Sequence, residues 1–256
     1  MQQSPLSLVA DALLESRLSH HPADALPLAA CLQTPADAYQ AQALVLRHTQ
    51  GEPTSFPAHW KSGGASRTAD ATHAPLPSAG VWASPATAGV WPFNMRLIEV
   101  EIALRLGHPV SPEQAAALKY EDALDLVDAM AVSIEVVDSR WQQGLNAPAL
   151  LKLADLQSHG ALVLGDWVPF VARDWTAQSG SVRIGSGAVR EFSGTHSMAD
   201  PAWVVPAWLR HATRDSATVP AGTVVTTGTW CGMLPAAAGD LVMARFKGVG
   251  EASVQL

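Results

Sequence analysis

The run Met95-Arg-Leu-Ile-Glu-Val-Glu-Ile-Ala-Leu-Arg-Leu-Gly107 limits this chain more than any other stretch. Ile98, Val100, Ile102, Leu104 and Leu106 alternate with Leu97, Glu99, Glu101, Ala103 and Arg105, which is the period of a β-strand with side chains on opposite faces. One face is wholly apolar and must meet a core. The other carries two glutamates side by side, which repel each other unless something positive compensates. A second apolar run, Ser133-Ile-Glu-Val-Val-Asp-Ser139, carries Glu135, and its surroundings are too apolar for an ordinary surface strand. A solvated face with Arg96 or Arg105 as partner would account for the first pair alone. Three carboxylates on two such strands point instead to a hard divalent cation held by oxygen ligands.

The 256 residues suffice for one large domain, or for a main domain with a smaller N-terminal part. Apolar residues make up 48% and charged residues 15%, so a sizeable core is expected. The formal charge of -7 argues against nucleic acid, which selects a basic surface. Cys31 and Cys231 lie far apart without metal-ligand spacing, which fits a reducing compartment. The opening residues lack the basic and apolar regions of a secretory signal, and no apolar stretch approaches the roughly 20 residues of a membrane helix. The expectation is a cytoplasmic protein without membrane or nucleic-acid partners. Its nine Trp and its apolar strands suggest core and subunit contacts, hence a homo-oligomer.

Residues 5–20 have helical spacing at Leu6, Val9, Leu13, Leu14 and Leu18, and a second helix is expected from Thr34 to about His48, with Pro35 at its first position. Residues 51–95 are rich in Gly, Pro, Ser, Thr and Ala and read as one long loop, functional or mobile, holding Lys61. After the strand at 96–106 come helices near 111–118 and from about Tyr120 to Ala131, then a strand at 133–138. Short strands follow at 161–164, 168–171, 181–185, 188–193, 223–227, 240–246 and 252–256, interrupted by a helix at 201–213. This order describes a β-rich barrel or sandwich with helices at the N-terminus and as insertions.

These residues resemble the 2-keto-4-pentenoate hydratase and 4-oxalocrotonate decarboxylase group of the fumarylacetoacetate hydrolase superfamily, over nearly the whole chain. Arg-x-x-x-Glu-x-Glu-Ile is matched at Glu99 and Glu101, and Glu-Ile/Val-Val/Ile-Asp-Ser-Arg at Glu135-Val-Val-Asp-Ser-Arg140. The Ala-Asp-Asn-Ala-Ser-Ser-Gly stretch is matched by Ala154-Asp-Leu-Gln-Ser-His-Gly160. The closing strands are matched by Pro220-Ala-Gly-Thr-Val-Val-Thr-Thr-Gly228 and by the segment from Ala238 to Gly250.

The resemblance implies an α+β fold, a distorted mixed β-barrel or roll with packed outer helices. A small helical N-terminal part (1–60) would precede a catalytic domain (61–256). It implies Mg²⁺ or Mn²⁺ on Glu99, Glu101 and Glu135, catalytic roles for Lys61 and Asp155, and substrate contacts from Ser158, Gly228, Thr229 and Gly232. The implied activity is hydration of a 2-hydroxy-2,4-dienoate in aromatic-compound breakdown. The alternatives are decarboxylation of an oxalocrotonate-type diacid, C–C hydrolysis of an acylpyruvate, or a non-catalytic subunit beside a partner enzyme of the same pathway. A small 2-oxo acid would chelate the cation through its carboxylate and C2 oxygen, so that an enolate is stabilised.

The chain also departs from this pattern. Where hydratases of the group carry an acid in a Pro-Asp segment, Pro75-Leu-Pro-Ser-Ala-Gly-Val-Trp82 has none, and Asp70 is the nearby substitute. The family's lysine loop, Lys-Ile-Gly-Leu-Thr-Ser, reads Lys61-Ser-Gly-Gly-Ala-Ser66 here, so Gly64 replaces the bulky residue after its Gly, and Leu156 stands in the Asn position. His59 and His73 flank that loop without the Glu that the hydrolase branch pairs with its His. His196 lies in a Gly-x-His turn that falls near the pocket in the family, and it could equally shape the turn before the helix at 201.

Overall fold

The computed structural model describes residues 3–50 and 55–256, so the part of the loop-rich stretch at 51–54 lies outside the described residues. Helix α1 (Pro5–Ser19) starts where the Ser4 hydroxyl accepts from the Ser7 N–H and Pro5 fits the first turn. Helix α2 (Pro35–Gln50) likewise opens on proline, with Asp37 taking up the N–H groups of Gln33 and Thr34. Their apolar sides meet at Val9, Leu13, Ala38, Ala41 and Val45. This small core is completed by Trp141 and by Leu151 of α5 (Ala149–Ala154), so the N-terminal helices pack on the segment that leads into the candidate site.

Two sheets follow. The larger holds, in spatial order, β2 (Thr72–Pro75), β1 (His59–Gly63), β11 (Val224–Thr226), β5 (Leu97–Leu106), β6 (Val127–Val137), β7 (His159–Leu164) and β3 (Val81–Ala83). Two short strands, β8 (Val168–Pro169) and β12 (Leu234–Pro235), join it on β6 and β5. The smaller sheet runs β10 (Arg190–Ser193), β9 (Ser179–Ile184), β13 (Leu241–Phe246), β14 (Gly250–Gln255) and β4 (Ala86–Thr87). β1–β11, β3–β7 and β4–β14 are parallel and the remaining pairs antiparallel, so both sheets are mixed.

The main core lies between the sheets. Ile98, Val100, Ile102, Ile134 and Val136 point into it from one side and Val242, Ala244, Phe246 and Val254 from the other. Helices α3 (Pro112–Ala117), α4 (Tyr120–Ala123) and α6 (Val205–Ala212) cover the outside, α6 burying Trp208 and Leu209. This is the mixed, curled β architecture with outer helices that the sequence implies. Among the described residues no helix is long and apolar enough to cross a membrane, and both cysteines are free.

Three expectations are corrected. The helix expected over 120–131 ends at Ala123, a single tight turn follows, and Val127 onward is strand. Ala129 to Ala131 pair with Arg105 to Ala103 of β5, and this pairing overrides the helix propensity of the alanines. The expected loop at 51–95 contains β1 to β4, too short and too mixed in composition to show periodicity. Conversely α5 and β12 lie where no element was expected.

Candidate metal centre

In β5 and β6 Glu99 stands directly opposite Glu135, and Glu101 is opposite Ser133. Residues paired across strands, and residues two apart on one strand, share a face, so all three carboxylates project from the side turned away from the core. One carboxylate oxygen from each lies within 4.8 Å of the others. The neighbouring strands extend this surface. Thr226 of β11 pairs with Ala103, and Lys61 of β1 pairs with Thr226, which puts Lys61 on the carboxylate face.

Two of the carboxylates are held, in different ways. Glu135 is fully buried, and its Oε1 accepts from the Lys61 ammonium at 2.6 Å and from His159 Nδ1 at 3.2 Å. The anionic partner sets the His159 tautomer: Nδ1 carries the proton. Glu101 Oε2 accepts from the Thr226 hydroxyl and from the Gly228 N–H at 2.9 Å, while the Ser133 hydroxyl lies 3.0 Å from that of Thr226. Lys61 also donates to the Gln157 carbonyl at 3.2 Å.

The charges do not balance, since three carboxylates face one ammonium. Burial, then repulsion from Glu101 and Glu135, pushes the Glu99 carboxyl up to about 8. Burial and Glu135 push Glu101 up to about 7. Burial disfavours the Lys61 ammonium, but the three glutamates outweigh it and its pKa rises. Burial would raise Glu135 as well, but Lys61 and His159 outweigh it and its pKa falls. The donor set fits a divalent cation on one further observation: Glu135 Oε2 is buried and has no hydrogen-bond partner. An orphaned carboxylate oxygen beside two strained carboxyls is what a hard oxygen-seeking ion would satisfy.

A cavity of about 300 Å³ opens over this cluster. It is lined by Lys61, Thr72, Glu99, Glu101, Gln157 and Thr229, with small residues from 62–65 and Gly228 between them. Gln157 reaches it through an unusual backbone. Leu156, Gln157 and Ser158 all have positive φ (51°, 56° and 57°), a left-handed turn built without glycine. Such residues cost roughly 1–2 kcal/mol each and persist where the surroundings over-determine them.

The other expected site residues divide. Thr229 and Gly228 line the cavity, but the Gly228 N–H is engaged by Glu101 and the Thr229 hydroxyl donates to the Gly232 carbonyl at 2.9 Å. Gly232 is exposed and acts only through that carbonyl. Asp155 is not in the cavity wall: it is fully buried, and its Oδ1 accepts from Arg140 Nε at 2.7 Å and Arg17 at 3.0 Å while Oδ2 accepts the Arg140 N–H. The expected catalytic acid is thus an ion-paired anchor, because the chain turns at 155 and sends Gln157 to the metal side instead. Ser158 is turned away too, its N–H on the Asp155 carbonyl and its hydroxyl buried without a partner.

Asp70 is exposed, in the loop between β1 and β2, and does not line the cavity. His73 pairs with Ser62 on the face of the β1–β2 hairpin opposite Lys61, with Nδ1 2.9 Å from the Ser62 hydroxyl. Burial, with Arg214 and Arg210 nearby, pushes it down to about 4, so it is neutral. His196 lies beneath the Gly228 turn, its Nε2 donating to the Thr227 carbonyl at 2.8 Å while Nδ1 accepts from the Met198 N–H. It shapes the turn and does not face the cluster. Sequence reasoning missed His159, Thr226 and Gln157. His159 had a signal, an imidazole where the family has serine, whereas the other two depend on strand register and on the left-handed turn.

The fumarylacetoacetate (FAA) hydrolase C-terminal family model matches residues 54–256. Among solved structures, 4-oxalocrotonate decarboxylase from Pseudomonas putida G7, complexed with magnesium and adipate, aligns with a TM-score of 0.82 at 19% identity, over 100% of this chain and 98% of that one. Fumarylpyruvate hydrolase from Pseudomonas aeruginosa, in complex with Mn²⁺ and pyruvate, aligns with a TM-score of 0.55 at 15% identity, over 80% and 92%. The 2-hydroxyhepta-2,4-diene-1,7-dioate isomerase from Mycobacterium marinum gives 0.57 at 18%, over 78% and 73%. No curated protein matches the chain. At these identities the structures establish a shared fold.

Proposed function

From the premise that this chain belongs to the fumarylacetoacetate hydrolase family, we propose that it is a divalent-metal-dependent lyase that hydrates a 2-hydroxy-2,4-dienoate or 2-keto-4-pentenoate-type acid. The observation that carries the reading is the orphaned, buried Glu135 Oε2 within a cluster of three carboxylates and one lysine. Glu99, Glu101 and Glu135 would hold Mg²⁺ or Mn²⁺, which supplies Lewis acidity toward the oxygens of a 2-oxo acid.

The protein's own groups divide the remaining work. Thr226 and Gly228 fix Glu101, and His159 and Lys61 fix Glu135, so the carboxylates keep their positions when the substrate arrives. Lys61 has two of its three N–H groups on Glu135 and the Gln157 carbonyl. The third is available to a substrate carboxylate or for carrying a proton at its reacting carbon.

Purified protein with Mg²⁺ should bleach the ultraviolet absorbance of the dienoate, and EDTA should stop it. Bleaching that EDTA leaves untouched, or none at all, rejects the reading. Decarboxylation of an oxalocrotonate-type diacid is the second reading, supported by the full-length structural match to such an enzyme. CO₂ release from that diacid, measured in the same preparation, separates the two.

A further inference from the structure

Gln157 and Thr72 face each other in the wall of the metal cavity. Thr72 is opposite Gly63 in the β1–β2 hairpin, on the Lys61 face, and the Gln157 carboxamide nitrogen donates to its hydroxyl. Neither the Gln157 amide oxygen nor the Thr72 O–H proton has another partner among the described residues, and both groups are only half-buried beside the cavity. Reversing the amide leaves a similar pair: the carboxamide then donates into the cavity and the threonine oxygen accepts. In either orientation this wall offers donor and acceptor together and carries no charge.

The one cation among the described residues lining the cavity, Lys61, gives two N–H groups to Glu135 and the Gln157 carbonyl, which leaves one for the substrate's C1 carboxylate and none for its tail. A second carboxylate on a substrate tail would therefore meet an acceptor without a counter-charge. A hydroxyl donates and accepts at once and satisfies both groups. The left-handed turn at 156–158 is what brings Gln157 here, and glutamine stands where the family motif has alanine.

We infer that Gln157 and Thr72 form a hydroxyl-recognising subsite that selects 2-oxo acids bearing a neutral hydroxyl on the tail, the hydration product's 4-hydroxyl among them, over 2-oxo diacids. This rests on the 2-oxo-acid reading of the cavity. The test uses the Mn²⁺-loaded protein and three probes: 2-oxopentanoate, 4-hydroxy-2-oxopentanoate and 2-oxoadipate. Calorimetry should show the hydroxy acid binding roughly tenfold tighter than 2-oxopentanoate, and the diacid no tighter than 2-oxopentanoate.

In Gln157→Leu and in Thr72→Val the hydroxyl preference should shrink to within about twofold, with 2-oxopentanoate affinity unchanged. Unchanged affinity for that probe shows that each variant retains its fold and metal, and if one variant fails to fold the other decides. Wild-type protein that binds 2-oxopentanoate without a hydroxyl preference, or a preference that survives substitution, overturns the subsite alone. Failure to bind 2-oxopentanoate at all overturns the 2-oxo-acid reading and the subsite with it.

Discussion

Two buried charged clusters flank the segment 155–159, and they are built on opposite plans. On one side Asp138 and Asp155 meet Arg140 and Arg17, charge balances charge, and every carboxylate oxygen has a donor. On the other, three glutamates meet one lysine, one buried oxygen has no partner, and two carboxyls are pushed up to about 7 and 8. A balanced cluster holds the chain together. An unbalanced one is a place where the fold tolerates an energetic deficit that a bound ion can relieve.

The largest effect expected from this contrast is on stability. Asp155→Ala leaves Arg17 and Arg140 without their shared partner in the interior, a loss of about 3–5 kcal/mol in urea unfolding. Metal affinity of the folded fraction should stay near wild type. If Asp155→Ala instead abolishes metal binding at unchanged stability, the two clusters have been assigned the wrong way round.

Glu135→Gln should do the reverse. Mn²⁺ affinity should fall by more than the 10–100-fold typical of residues that merely support a ligand, whereas unfolding of the metal-free protein moves far less than in Asp155→Ala. Titration with Mn²⁺ by paramagnetic resonance reads the first quantity and denaturant unfolding the second.

The third and smallest effect is a pH dependence that the metal-free protein shows and the loaded protein loses. Glu99 and Glu101 have folded pKa values above the ordinary carboxylate value, so between about pH 5 and 8 the folded metal-free state binds more protons than the unfolded one. Its stability should therefore fall as pH rises from 6 to 8. Cation binding needs the ionised forms, so affinity should rise over the same window, by on the order of tenfold per pH unit between about 7 and 8 and more steeply below about 7, where both carboxyls must lose a proton. Thermal unfolding with and without Mg²⁺ across this range should show the stabilisation by metal growing with pH. A constant difference would place both carboxylates at ordinary values.

The sequence made the three glutamates legible because alternation on β5 separates a core face from a polar face without any tertiary knowledge, and Ile-Glu-Val-Val marks a buried carboxylate wherever it lies. Lys61 was legible only through its motif. Asp155 shows where motif reading fails: its neighbours Ala154 and Gly160 match the family stretch, but which of 155, 157 and 159 faces the metal depends on a left-handed turn that composition does not announce. The same holds for β6, where Ala129, Met130 and Ala131 suggest helix until ten residues of β5 offer a partner.

The parallel pairing of β1 with β11 has a consequence for how the molecule assembles. Lys61 sits beside Thr226, and both reach glutamates that belong to neither strand. Contacts so distant along the chain are entropically expensive to close, so they form late, after local hairpins and helices. During synthesis β5 and β6 can pair as soon as both have emerged, leaving their three acids facing water without lysine, threonine or the Gly228 amide. The centre matures only when β11 slots between β1 and β5. Readiness to take up a cation is thereby a property of the finished chain, and a nascent or truncated one displays the carboxylates without the grip.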